Sequence, residues 1–291
     1  MSVEALLGSP AAFDAGLVGA RPHPGALEVA ADMRRLLEGS PIVASHAECD
    51  RVQDAYSLRC IPQVMGAALD AVAELERVVR IEANSATDNP LVLDDGRIVS
   101  GGNFHGEPVG QALVYAASAL AKAGVMVERR ISRTLDPSTN EGLPAFLARA
   151  GGVNSGLMIP QYLAASLVSE NQGLATPLPA MSVPTSANQE DVNAMGAAMA
   201  LNARRILDNL ATIVGVEALV AAQALDLRAP LAPARATAAA RERLRKDVAF
   251  LEDDRVLAPD VAAAARLVRE GALLQSAEAA VGPLQAARPR E

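Results

Sequence analysis

The chain has 291 residues, 51% of them hydrophobic and only 2% aromatic, with no Trp, four Phe and three Tyr. That much apolar content excludes general disorder. A core made mainly of Ala, Leu, Val, Ile and Met favours packed helices over sheets, so an all-α fold is expected. The formal charge of −8 and the presence of just two lysines, Lys122 and Lys246, argue against a nucleic-acid partner, which needs clustered basic residues.

The opening MSVEALLGSP has no basic leader and too short an apolar run for a signal peptide. It reads as the interior of a helix, as though the element began before Met1. Pro22, Pro24 and Gly25 interrupt regular structure, and Ala26 to Leu37 then reads as an amphipathic helix closed by Gly39 and Pro41. Cys49 and Cys60 form neither a disulfide framework nor a paired metal-ligand spacing, which points to a reducing cytoplasm. From Pro62 to Ala83 the apolar residues recur at three and four, which predicts a helix ending in NSATDNP, where Pro90 pushes Asn89 out of helical backbone. Leu91 to Val99 is expected to form a short hairpin around Asp94, Asp95 and Gly96. Helices follow over about Pro108 to Leu135 and Pro160 to Leu174.

Past Pro177, Pro179 and Pro184, the run from about Ala187 to Leu227 has no proline and almost no glycine. As one helix it would be on the order of 60 Å long and would need partner helices, so an oligomeric bundle is expected. Beyond Pro230 two shorter Ala- and Arg-rich helices are expected, with 275–291 a frayed tail and the whole of 1–291 a single helical domain. No stretch reaches about 18 uninterrupted apolar residues, so no membrane span is expected.

Three segments carry chemistry. In QDAYSLRC, Gln53, Tyr56 and Arg59 are spaced by three, and one helical turn would point an amide, a phenol and a guanidinium the same way. Arg grips carboxylates with paired hydrogen bonds, and a phenol beside it is a candidate proton-transfer group. An ordinary helix start facing water explains the same spacing. In SGGNFHGEP, Phe104 and His105 sit in a Gly-rich loop, which a plain loop anchored by a buried Phe also explains. In VPTSANQED, Ser186 and Asp191 read as an N-terminal cap, but capping leaves Asn188, Gln189 and Glu190 unexplained. His23, His46 and His105 are far apart and give no metal motif.

Taken in order, RPHPG (21–25), DRVQDAYSLRC (50–60), TDNPLV (87–92), SGGNFHGEPV (100–109), NSGLMIPQY (154–162) and PTSANQED (184–191) make the chain resemble the histidine ammonia-lyase family from Met1 to about Leu274. The resemblance implies the C-terminal part of a cytoplasmic homotetramer with a long helical bundle and active sites assembled from more than one subunit. It implies elimination of ammonia from an aromatic α-amino acid, with L-histidine to urocanate first among the candidates. By resemblance Tyr56 and Glu190 would be catalytic, while Arg59 would bind the substrate carboxylate. Gln53, Asn89 and Phe104 would complete the binding shell.

The family's electrophile, a 4-methylidene-imidazol-5-one, arises from an internal Ala-Ser-Gly that this sequence lacks; Asn154-Ser155-Gly156 is the nearest match. The triad would have to come from an N-terminal half, in a longer chain or in a partner chain, and no metal is implied. Ala55 replaces the family's usual proline, and Gln172, Thr176, Met181, Val192 and Asn193 depart from histidine-specific members. An inactive helical scaffold or regulatory subunit, and an aminomutase of the same family, are alternative readings.

Overall fold

The structure, a computed structural model, is described for residues 1–47 and 51–287. Cys49 therefore lies outside the described residues, as does Asp50, the first residue of one resemblance motif. In chain order the helices are α1 (Ser2–Ala5), α2 (Ala15–Gly19), α3 (Pro24–Leu36), α4 (Pro41–Ala44), α5 (Tyr56–Arg59), α6 (Ile61–Ala83), α7 (Glu107–Leu135), α8 (Met158–Leu174), α9 (Gly196–Leu227), α10 (Arg235–Arg245), α11 (Ala258–Arg269) and α12 (Ala272–Val281). A two-residue hairpin, β1 (Leu91–Val92) against β2 (Ile98–Val99), pairs Leu91 with Val99 and turns at Gly96, whose φ of +81° suits a residue without Cβ. The fold is a helical bundle, as composition predicted.

The two longest helices, α7 and α9, pack along each other, with α6 flanking α7, α8 lying against both, and α11 covering the far side of α9. Their shared seam is aliphatic: Ile131, Ile213 and Val216 are fully buried, with Val127, Leu135, Leu219 and Val220 around them. From Gly215 to Leu225 nearly every α9 residue is buried, as expected of a helix that is apolar on all faces and surrounded. By length and mean hydropathy (1.3 and 1.6 over 18-residue windows) α7 and α9 are long and apolar enough to cross a membrane, although neither is an uninterrupted apolar run. In the bundle 44% and 61% of those windows are buried within this chain.

Two backbone-to-backbone contacts tighten the packing. Gly25 of α3 and Gly66 of α6 face each other so closely that a Cβ on Gly66 would lie 2.3 Å from the Ala26 nitrogen. A Cβ on Gly215 of α9 would lie 2.7 Å from the Ala265 nitrogen of α11.

Three expectations need correction. The long helix begins at Gly196, not near Ala187, and its 32 residues span about 48 Å. Residues 187–195 instead form a looped segment entered through left-handed backbone at Ser186, Ala187 and Asn188 and left through Met195, which is left-handed too. Ser186 is therefore no cap of α9; the N-cap position is Met195, and it makes no side-chain bond. The C-terminal part has three helices rather than two. Of the stretch expected to fray, the described residues 275–287 continue in α12 to Val281 and are then tied down. Asp32 accepts hydrogen bonds from the Gln285 nitrogen at 2.9 Å and the Ala286 nitrogen at 2.8 Å, Arg35 donates to the Val281 and Pro283 carbonyls, and Leu284 is buried.

Candidate functional site

The segment entering α5 is strapped at several points. Arg51 donates to Glu141 at 2.8 Å and to the Leu7 carbonyl at 2.9 Å, while Asp54 accepts from the Ser9 nitrogen at 2.7 Å. A cavity of about 1010 Å³ opens beside Gln53, between Leu37, Val43 and His46. Ala55 is the N-cap of α5, with φ −61° and ψ 153°. That φ is the one a proline ring would impose, so the replacement of the family's usual proline leaves the entry angle unchanged.

In α5 itself the apolar side turns inward: Leu58 is 2% exposed and Ser57 is buried, while Tyr56 stands out to solvent at 71%. The Arg59 guanidinium carbon lies 4.7 Å from the centre of the Tyr56 ring, a cation–π stack across three helical positions. The spacing therefore does what the sequence predicted for Tyr56 and Arg59. Gln53, exposed, lies before the N-cap and off the helical face. The Arg59 Nε is buried and has no hydrogen-bond partner among the described residues.

Beneath α5 lies an ion pair that the sequence reading did not single out. Arg130 of α7, 7% exposed, donates through Nε and through Nη2 (3.0 Å) to the two oxygens of Glu217 on α9, and through Nη1 to the Ser57 carbonyl at 3.3 Å. The Ser2 hydroxyl donates to Glu217 at 2.7 Å. Burial alone would raise the Glu217 carboxyl, but the Arg130 charge, its hydrogen bonds and the Ser2 hydroxyl outweigh it and hold the group below the usual glutamate range. A signal was present: Glu217 is the single acid in the apolar run ATIVGVEALVAAQAL.

The other candidate residues sit at the opposite end of the bundle. The Asn89 side-chain oxygen accepts from the Ser100 hydroxyl at 3.0 Å and from the Gly101 nitrogen at 2.7 Å, closing the loop that follows the hairpin. Phe104, in the next turn, is 56% exposed rather than a buried anchor. The His105 Nε2 lies 3.1 Å from the Val192 carbonyl, and Ala194 packs over Gly106 and Gly110 at the start of α7. This brings the loop carrying Glu190 against the loop carrying Phe104.

Glu190 is held by its backbone. Its nitrogen and carbonyl bond reciprocally with Thr185 across the left-handed turn, and the Thr185 hydroxyl donates to its Oε2 at 2.7 Å. Asn193 adds bonds to the Val183 and Glu190 carbonyls. Three consecutive left-handed residues without a glycine are costly, and such strain collects at functional positions.

Within one copy the two groups do not meet. Arg130, which holds α5, is 23 positions beyond Glu107 along the straight run of α7, a separation of about 35 Å. Tyr56 and Arg59 are therefore at one end, and Asn89, Phe104 and Glu190 at the other.

Asn154-Ser155-Gly156 is committed to the fold. The Ser155 and Gly156 nitrogens both donate to the Asp254 carboxylate, at 2.7 and 2.9 Å, and Gly156 has φ +57° with the Phe146 carbonyl 2.4 Å from where a Cβ would lie. This turn does not fit the task of forming the methylidene-imidazolone. Among the described residues no three His, Cys, Asp or Glu side chains cluster as metal ligands.

Comparison with known proteins agrees with this architecture. Residues 1–246 match the family described as aromatic amino acid lyase. The chain is 48% identical to the histidine ammonia-lyase of Gloeobacter violaceus over 285 residues, 98% of this chain and 55% of that protein. It is 51% identical to the one from Anaeromyxobacter dehalogenans over 94% of its own length and 54% of that protein's. Its fold superposes on a histidine ammonia-lyase from Trypanosoma cruzi with a TM-score of 0.88 (38% identity, 98% of this chain, 53% of the other). A tyrosine aminomutase from Streptomyces globisporus gives 0.92 (37% identity, 98% and 58%). The chain thus spans about half the length of the relatives it matches. On the match to residues 1–246, the shared fold and the near-50% identity, the chain belongs to the aromatic amino acid lyase family.

Proposed function

We propose that this chain is the C-terminal part of an ammonia-lyase that removes ammonia from an aromatic α-amino acid, with L-histidine as substrate and urocanate as product. The observation that carries the reading is the stack of a half-buried Arg59 on the exposed Tyr56 ring, on a braced helix, in a chain 48–51% identical to histidine ammonia-lyases. Arg59 presents a planar fork suited to the substrate carboxylate, and Tyr56 places a phenol beside it to exchange a proton near the amine. Gln53 supports this end. Glu190 keeps its Oε1 free of partners among the described residues, so it can accept from an imidazole N–H, an interaction a phenyl side chain would leave unmade. Phe104 supplies an exposed ring for stacking, and Asn89, its oxygen engaged by the loop, has its amide N–H groups left to donate.

Because these residues lie at opposite ends of one copy, a complete site on this reading draws on more than one subunit. The electrophile comes from a polypeptide segment carrying Ala-Ser-Gly, in a longer form of the chain or in a separate partner. The test is to express the chain alone and together with an N-terminal half bearing that triad, and to follow urocanate by its ultraviolet absorbance. Turnover is expected only from the combined preparation. Turnover by the chain alone would refute the dependence on a second segment, and a combined preparation inert toward histidine, phenylalanine and tyrosine would refute the lyase reading.

The likeness to a tyrosine aminomutase at TM-score 0.92 favours a second reading, in which ammonia returns to the β-carbon. Chromatography of the products separates the two: a β-amino acid identifies the mutase, an unsaturated acid the lyase.

A further inference from the structure

We propose that Arg130 and Glu217 are a positioning pair for α5, setting where Tyr56 and Arg59 stand without touching substrate themselves. The proposal rests on the functional reading above for its consequence, and on geometry for its substance. α5 is only four residues long, too short to hold its own place in water. Its inward residues Ser57 and Leu58 are buried, Tyr56 is exposed, and the half-buried Arg59 stacks on the Tyr56 ring. Among the described residues the side chain that ties the α5 backbone to the bundle core is Arg130, through the carbonyl of Ser57, one of the two residues between Tyr56 and Arg59.

The guanidinium is used in three directions at once: Nε and Nη2 engage the Glu217 carboxylate and Nη1 reaches α5. Glu217 stands in the Gly215–Leu225 stretch of α9, where nearly every residue is buried, so α5 is referenced to the packed core rather than to a loop. Glu217 is itself oriented by the Ser2 hydroxyl. The neighbouring Arg129 does not share the task, because it pairs with Glu128 and faces solvent. A planar fork is required; a lysine ammonium can balance the Glu217 charge but has no rigid second arm for the Ser57 carbonyl.

That difference supplies the test. The sequence has no Trp and only three tyrosines, Tyr56, Tyr115 and Tyr162, so the whole chain labelled with 3-fluorotyrosine gives three fluorine resonances, and Tyr56→Phe assigns one of them. In Arg130→Lys the buried charge remains compensated. The Tyr56 resonance is expected to shift or broaden while those of Tyr115 and Tyr162 stay in place and the thermal midpoint holds. Glu217→Gln, neutral and of the same shape, is expected to displace the same resonance by a smaller amount, and it carries the test if the lysine variant does not fold.

In the enzyme reconstituted with an N-terminal half, a displacement of about an ångström predicts a loss on the order of 100-fold in kcat/KM for Arg130→Lys. A Tyr56 resonance that does not move, or three resonances that move together, would overturn the positioning role and leave the lyase reading intact. If instead Arg59→Lys leaves turnover unchanged, the functional reading fails while the fluorine result stands.

Discussion

Replacing Gly66 with alanine sets two calculable effects against each other. Alanine is the better helix former, and inside a 23-residue helix the exchange on propensity alone stabilises by about 1 kcal/mol. The structure opposes this, because the new Cβ would lie 2.3 Å from the Ala26 nitrogen, 2.5 Å from the Gly25 carbonyl carbon and 2.6 Å from the Ala26 Cα. These are backbone atoms and cannot rotate away. Restoring ordinary contact, about 3.5 Å, moves α3 off α6 by about 1 Å, and a gap of that size forfeits a quarter to a half of each atom–atom attraction along the seam.

The α3 face affected comprises Ala26, Val29 and Ala30, all buried. With roughly 40 contacts of about 0.15 kcal/mol, losing a third costs about 2 kcal/mol, and overpacking strain adds about 1–3 kcal/mol. The net expectation for Gly66→Ala is destabilisation of about 2–4 kcal/mol, read from urea unfolding followed by circular dichroism. Gly173→Ala in α8, where a Cβ meets nothing within 4 Å, is the control and should be neutral or slightly stabilised. If Gly66→Ala is as stable as the parent or more so, the helix–helix contact argued from these distances is wrong.

Three further outcomes follow from the same structure. Asp32→Ala removes the acceptor for the Gln285 and Ala286 nitrogens, bonds to a charged group worth about 1.5–3 kcal/mol each, so hydrogen exchange at those amides should rise at least about tenfold. Glu217 is held below its ordinary value, so its contribution to stability is complete above the unfolded glutamate range and is lost as pH falls through its folded value. The stability difference between the parent and Glu217→Gln should therefore shrink on acidification, and a difference that grows would contradict the assignment. Gly156→Ala forces a side chain into left-handed backbone facing the Phe146 carbonyl. It should cost at least about 1–2 kcal/mol in a denaturant melt, whereas an unchanged midpoint would show that the Asp254 turn can relax.

Legibility in the sequence followed the physics of each element. α6, α7 and α8 begin within two residues of where periodicity placed them, because proline near each start and a continuous apolar face leave little ambiguity. The start of α9 was misplaced because residues 187–195 contain nothing that forbids a helix. The left-handed residues are Ser186, Ala187, Asn188 and Met195, and of these only Asn is a type that propensity favours there. What holds them is Asn193 bonded to two carbonyls of the same segment and, as a tertiary contact, Ala194 seated on Gly110.

The stack of Arg59 on Tyr56 was legible from spacing, whereas Gln53 was not, because Ala55 is extended and ends the helical register before reaching it. The tail after Val281 looked polar and loose, yet Asp32, some 250 residues earlier, captures it. Sequence order also hid the distance between the two groups of candidate residues, since it says nothing of which end of a helix each loop returns to.

That distance has a genetic consequence. A substrate the size of one amino acid cannot touch both ends of a helix about 40 Å long, so on the proposed function each copy lends one end to one site and the other end to a neighbour's. Two alleles, one disabled at Arg59 and one at Glu190, would each be silent alone. Expressed together they would form mixed assemblies in which some sites take both intact ends. Partial activity recovered from two dead parents would reveal that the unit of inheritance and the unit of catalysis are not the same object.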